Sequence, residues 1–413
     1  MTFVACIVAL CDADLVASDQ WRAGPLPLPY GTDSVTDAEL RATYFSPRVA
    51  SILYGSEKGP GRRAHILLDE PEPITTSLVV SALELLVVQG APDPIVIVHV
   101  TAISGVGDEE LAAGWLDLLR WKRNPERAAR LTGVVDGICG RSSRLRGKGG
   151  EPFHLAFVSD GTRQVDATHA RAGLVPQDQW LAALSTATSG ADVPIAASGL
   201  ASLADPIELS ADWSALVLRD GAAFVGHPME SSRFLEESAP THVRTIYLDV
   251  LLLGFAQRMV LADLIECLVA IDDPASEPGQ VERLAARFSR FRNAMWWQHV
   301  ASHGIGTRLL VAYQEQHSTP ELVDRVRLDL SDYTELAKLR SGRTLNTIAT
   351  LLASAATVGA LVQVYAIQVQ GLAPSAPVMW GLLVAALGLS LLAMRAGRMR
   401  GLVRSARRAV ARR

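Results

Sequence analysis

Between Thr344 and Met394 the chain has no aspartate, glutamate, lysine, arginine or histidine. A charge-free run of that length excludes an ordinary solvated surface helix and carries the signal of membrane-spanning segments. Cysteine is scarce: Cys6, Cys11, Cys139 and Cys267 are far apart and form no CxxC pair. That excludes a cysteine zinc site and a disulfide framework, and points to a reducing compartment. The opening MTFVACIVALCDADL has no basic residue ahead of its apolar run and ends at Asp12 and Asp14. A secretory leader is therefore not expected, and the stretch reads as a buried strand. Motifs of chemistry are missing too. Ser56, Ser142 and Ser159 lack a GxSxG context, and the Gly-rich basic stretches Gly55–Arg63 and Arg141–Gly150 match neither GxxxxGK[ST] nor GxGxxG. These stretches read as flexible loops, and the expectation is that the chain is not an enzyme.

Charge is unevenly spread. The tail after Met394 has eight arginines (Arg395, Arg398, Arg400, Arg404, Arg407, Arg408, Arg412 and Arg413) and no acid. With a formal net charge of -4 overall, everything before that tail carries -12. A body this acidic is a poor general nucleic-acid binder.

What is present is an alternation of short β-branched runs and helical patterns. Phe3–Leu10, His65–Leu68, Ile95–Val100, His154–Ser159, Ala215–Leu218 and Ala222–Val225 read as strands bounded by Gly, Pro or Asp. The last two flank Arg219-Asp220-Gly221, a hairpin signal. Helical patterns occupy Glu109–Lys122, Asn124–Ile138 and Gln177–Ala187. Strands mixed with helices predict an α+β (α/β) body. From about Thr241 longer helices follow, over His242–Ile271, Pro278–Ala301, and from Thr319-Pro320-Glu321 onward with no stop before Gly371. Thr319 is read as the N-cap of the third.

The expected organisation is a cytosolic α/β domain over 1–240, a long-helix stalk over 241–343, a two-span transmembrane hairpin over 344–394 (344–368 and 377–394), and an Arg-rich cytosolic tail over 395–413. The first span is about 37 Å long at ~1.5 Å per residue, against a ~30 Å hydrocarbon core. The positive-inside rule puts both termini in the cytoplasm. The competing reading is a buried helical hairpin in a large soluble protein. At about 100° per residue, Asn346, Thr350, Ser354, Thr357 and Gln368 share one arc with Leu361. Such a stripe either packs helix against helix or lines a water-filled path shared by several copies.

The order of these parts, with Trp213–Phe224 (WSALVLRDGAAF), Val243–Val250 (VRTIYLDV) and Phe291–Trp297 (FRNAMWW), resembles the CorA-like family of magnesium and divalent-cation transporters, in the divergent form of high-GC bacteria. The resemblance covers roughly Ile207 to the C-terminus. It implies a homo-oligomer, a pentamer in the family, in the lipid bilayer of the inner (plasma) membrane. There it would pass a divalent cation, magnesium first, down its gradient with no cofactor. It also implies pore-lining roles for Asn346, Thr350, Ser354, Thr357, Leu361 and Gln368, and regulatory cation binding by Asp324, Asp329, Asp332 and Glu335. The family's Gly-Met-Asn at the outer mouth is replaced: after Tyr365 come Ala366, Ile367 and Gln368. Arg343, on the polar stripe, would repel a cation at the inner mouth. Those departures leave a second expectation, a CorA-like membrane protein that is non-selective or does not transport, its body a ligand sensor or interaction module. His299 and His303 have metal-compatible spacing but read as a helix end. Trp296-Trp297 reads as a packing cluster, and Trp380 as an interfacial anchor.

Overall fold

The computed structural model describes residues 2–27, 37–55, 61–119, 125–145, 152–162, 174–188, 199, 204–228, 233–273, 277–296, 300, 304–338, 348–350, 352 and 359. The chain divides into two compact units, Met1–Ala270 with Arg283–Leu330, and Ile271–Glu282 with Ser331–Arg413. The account below concerns the first, apart from the few residues of the second that the sequence singles out.

Its frame is one nine-stranded sheet: β1 Phe3–Leu10, β2 Arg22–Ala23, β3 Gly61–Pro73, β4 Leu78–Val88, β5 Ile95–Ala102, β6 Phe153–Val158, β7 Ile207–Ser210, β8 Trp213–Val217 and β9 Gly221–Gly226. The order is β2-β3-β4-β5-β1-β6-β9-β8-β7. β1 lies antiparallel to both β5 and β6, whereas β6 and β9 run parallel. All eight residues of β1 are buried. This explains why FVACIVAL is continuously apolar rather than alternating: a strand covered on both faces has no solvent side. The Asp220-Gly221 turn joins β8 to β9 with Val217 opposite Ala222, as the sequence predicts.

Alternation sorts the side chains into two layers. On one face Phe3, Ala5, Ile7, Val96, Val98, Val100, Ala156 and Val158 form the main core with Trp115, Leu131 and Trp180. Those partners come from α3 (Asp108–Leu119), α4 (Pro125–Cys139) and α5 (Pro176–Thr186). The opposite face carries Cys6, His99 and Glu84. It is covered by α1 (Asp37–Tyr44), α2 (Pro47–Tyr54) and a long helical stretch after β9. That stretch starts as an α-turn at Ala239–His242, passes through a π-turn at Val243–Tyr247 and continues as α6, Leu248–Val269. α7 (Pro278–Ala294), α8 (Gly304–Gln316) and a helix over 319–338 follow.

The expectation of an α/β body followed by long stalk helices and a C-terminal transmembrane hairpin is corrected here. Among the described residues no helix is long and apolar enough to cross a membrane. The most apolar long helix, α6, buries its Leu and Phe side chains, Val250 and Val260 within the body, leaves Val269 exposed at its end, and carries Asp249, Arg258, Asp263 and Glu266. Apolar content there serves a core. The third helix does not start on a Thr319 cap: the Ser318 carbonyl accepts from the Leu322 N–H, Ser318 is left-handed (φ 46°), and the Thr319 hydroxyl is buried with no partner among the described residues. Gly304 and Gly306 open α8, just past the helix end expected at His299 and His303. The segments 344–368 and 377–394 lie outside the described residues, apart from 348–350, 352 and 359.

Candidate functional site: a buried charge network

Five segments distant in sequence bring ionisable groups together between the sheet and α6. Arg41 comes from α1, Arg63 from β3, Glu84 from β4, His99 from β5 and Asp249 from α6. Their side chains have no solvent exposure. Placing charges there is costly unless every one is paired.

Asp249 meets that demand through three side chains. Arg41 donates from Nε to Oδ2 and from NH2 to Oδ1, each at 3.0 Å. The Tyr54 hydroxyl donates to Oδ2 at 2.7 Å, and Arg63 NH2 to Oδ1 at 3.1 Å. Glu84 is equally satisfied. Its Oε1 accepts from the Leu26 N–H at 2.7 Å and Arg63 Nε at 3.3 Å; its Oε2 accepts from Arg63 NH2 at 2.7 Å and His99 Nε2 at 3.0 Å. Arg41 NH1 stands 3.5 Å from Oε1 and donates to the Leu26 carbonyl at 3.1 Å.

The contacts fix the tautomer of His99. Its Nδ1 faces the Cys6 thiol at 3.4 Å and Arg244 Nε at 3.5 Å, both donors. Nδ1 therefore presents its lone pair, and Nε2 carries the proton given to Glu84. Burial pulls the His99 pKa down to about 4, outweighing the hydrogen bond and charge of Glu84. The imidazole is neutral at physiological pH. Burial alone would raise the Glu84 carboxyl, but Arg63, Arg41 and His99 together hold it well below the usual range. Burial also pushes the Cys6 thiol up to about 12, so it is no thiolate nucleophile.

Arg244 stands at the margin of this network. It lies in the π-turn, half-buried, and NH2 donates to the Ser81 hydroxyl at 3.2 Å. A π-turn closes i→i+5 bonds, so residues five apart fall on one side of the helix. This puts Arg244 on the sheet side with Asp249. Ser81 sits where the β4–β5 register shifts between Val80 and Ala82, a bulge that re-aims a side chain.

The sequence-predicted residues are placed otherwise. Asp324, Asp332 and Glu335 are exposed and Asp329 partly exposed on the helix over 319–338; Asp324 pairs with Arg327 at 3.2 Å. Among the described residues no group of three His, Cys, Asp or Glu side chains converges as metal ligands. Thr350 is helical and exposed. Asn346, Ser354, Thr357, Leu361, Tyr365, Ala366, Ile367 and Gln368 lie outside the described residues, as do Arg343, His299, His303, Trp297 and Trp380. Arg63, read from sequence as part of a Gly-rich loop, is a buried member of the network.

Sequence reasoning missed the network, although its traces are readable. Glu84 interrupts LVVSALELLVV, His99 interrupts IVIVHV and Asp249 interrupts YLDVLLLGF. A titratable residue inside an apolar run signals a buried partner. Comparison with known protein families, curated proteins and solved structures gives no match.

Proposed function

We propose that the body is a ligand-sensing regulatory module in which the helix over 239–269 is held on the sheet by a breakable electrostatic latch. One observation carries this: four fully buried charges, Arg41, Arg63, Glu84 and Asp249, join α1, β3 and β4 to α6. Apolar residues of similar size would usually hold those elements at least as well. A charge network differs in failing abruptly, because losing one partner strands the others without solvent. That behaviour suits an element with two discrete arrangements, which a sensor requires.

Hydrogen–deuterium exchange on the full chain tests this reading. Asp249→Asn should speed exchange over 239–269 while β1, β5 and β6 keep their protection. Equal loss across sheet and helix would reduce the network to part of a single cooperative core, and the sensor reading would fall.

A second reading is favoured by one feature of the sequence, the absence of charge from Thr344 to Met394. In this reading an oligomer at the plasma membrane passes a divalent cation, magnesium first, along the polar stripe from Asn346 to Gln368, and the body gates it. Magnesium influx into liposomes holding the purified protein, at an inside-negative potential, is the measurement. Thr357→Val and Gln368→Ala should both change the rate. No influx in correctly inserted protein sets transport aside.

A further inference from the structure

Among the described residues the network does not balance. Arg41, Arg63 and Arg244 bring three positive charges, Glu84 and Asp249 two negative ones, and His99 is neutral. The excess is also an excess of donors. Both carboxylates already accept from several groups, while Arg63 NH1 is buried with no partner among the described residues. Among the described residues Arg244 has no carboxylate within ion-pair distance. Its contacts with Ser81 and His99 engage two of its five N–H donors. The Ser81 hydroxyl spends its own proton on a long 3.4 Å bond to the His99 carbonyl. Arg244 is held in place and is not fully buried, so it marks the edge where the network approaches solvent.

We propose that Arg244 and Ser81 form a binding site for a small oxyanion, the phosphate or carboxylate group of a soluble ligand, at the solvent margin of the buried network. The guanidinium presents a planar fork that matches two oxygens of such a group. The Ser81 hydroxyl turns from its long backbone contact to a third oxygen. The incoming charge neutralises the surplus of the network and so favours the docked helix, since Arg244 lies in the π-turn that leads into α6. The site has no reactive thiolate beside it, and its role is binding. This inference rests on the sensor reading above and names the ligand class for it.

The test uses the purified full chain with inorganic phosphate and with acetate as separate probes, against chloride at equal ionic strength. Melting temperature and titration calorimetry give binding, and hydrogen exchange over 239–269 gives the response. Phosphate or acetate should raise the melting temperature of the wild type where chloride does not, the better probe identifying the oxyanion. Ser81→Ala should weaken binding about tenfold, the loss of one hydrogen bond to a charged group. Arg244→Gln should abolish binding yet melt close to the wild type in chloride, because no carboxylate is stranded. Arg244→Lys keeps the charge without the fork and should bind more weakly than wild type. No response of the wild type to either probe, or an equal response in Arg244→Gln, overturns the site. The two readings fail separately. Binding that leaves helix exchange unchanged upholds the site and sinks the sensor. No binding, with Asp249→Asn still releasing the helix, sinks the site alone.

Discussion

Asp249 shows how much one side chain can be asked to do. Its two oxygens accept four hydrogen bonds from Arg41, Arg63 and Tyr54, and its side chain has no solvent exposure. Asp249→Asn keeps the volume, removes the charge and strands Arg41, which should cost about 3–5 kcal/mol of stability. Tyr54→Phe deletes a single charge-assisted hydrogen bond and should cost about 1.5–3 kcal/mol. Urea unfolding midpoints at neutral pH rank the two, and a Tyr54→Phe loss equal to that of Asp249→Asn would contradict this account of the network. None of these pairings is visible as spacing, because Arg41 and Asp249 are 208 residues apart. What the sequence offers is the anomaly alone, an acid in an apolar run, without the identity of its partner. Gly221 is a further residue whose role changes on inspection. Read as a turn glycine, it is also needed for space, since a Cβ there would run into the His154 imidazole.

At the level of elements, period and composition made most of the sheet legible. β1, β5, β6, β8 and β9 coincide closely with the apolar runs that announce them, because a strand buried on both faces leaves a continuous β-branched signature. β4 was missed: Ser81 and Glu84 break its pattern for the sake of the bulge and the network, not of the strand. α8 was missed for a different reason, its two glycines having the look of a stop. Helix packing explains one glycine that sequence could not. Gly254 of α6 faces Tyr313 of α8, and a Cβ at 254 would lie 2.6 Å from the ring. Alanine gains about 1 kcal/mol of helix propensity there, yet overpacking costs about 1–3 kcal/mol. Gly254→Ala should therefore be net destabilising, and Tyr313→Leu in the same chain should recover part of the loss. Thermal melts of the two single variants and the double variant measure that coupling; strict additivity would mean that the two helices do not share this contact.

For the whole molecule, the buried groups dictate how stability responds to acid. His99 and His317 are both pulled down to about 4, by burial first; for His317 the nearby Arg258 and Arg219 add to the effect. Both are neutral in the folded chain at neutral pH, whereas the unfolded chain takes up protons on them below about 6.5. Between those values the unfolded state binds more protons, so stability falls as pH drops from 6.5 toward 4. Glu84 acts later. Its folded pKa lies well below the ordinary 4.5, so its contribution is complete above that value and is lost only as pH falls further. Two stages follow, first the histidines and then the carboxylate. Urea midpoints at pH 7.5, 6.5, 5.5 and 4.5 should be level between the first two and then decline. His317→Gln, on the turn after α8, should flatten the decline without touching the network. His99→Leu removes the donor to Glu84, and so should lower stability at pH 7.5 as well as reduce the slope. A midpoint unchanged down to pH 5 would mean that these imidazoles take up protons as freely folded as unfolded. The neutral, buried His99 of the network would then have to be abandoned.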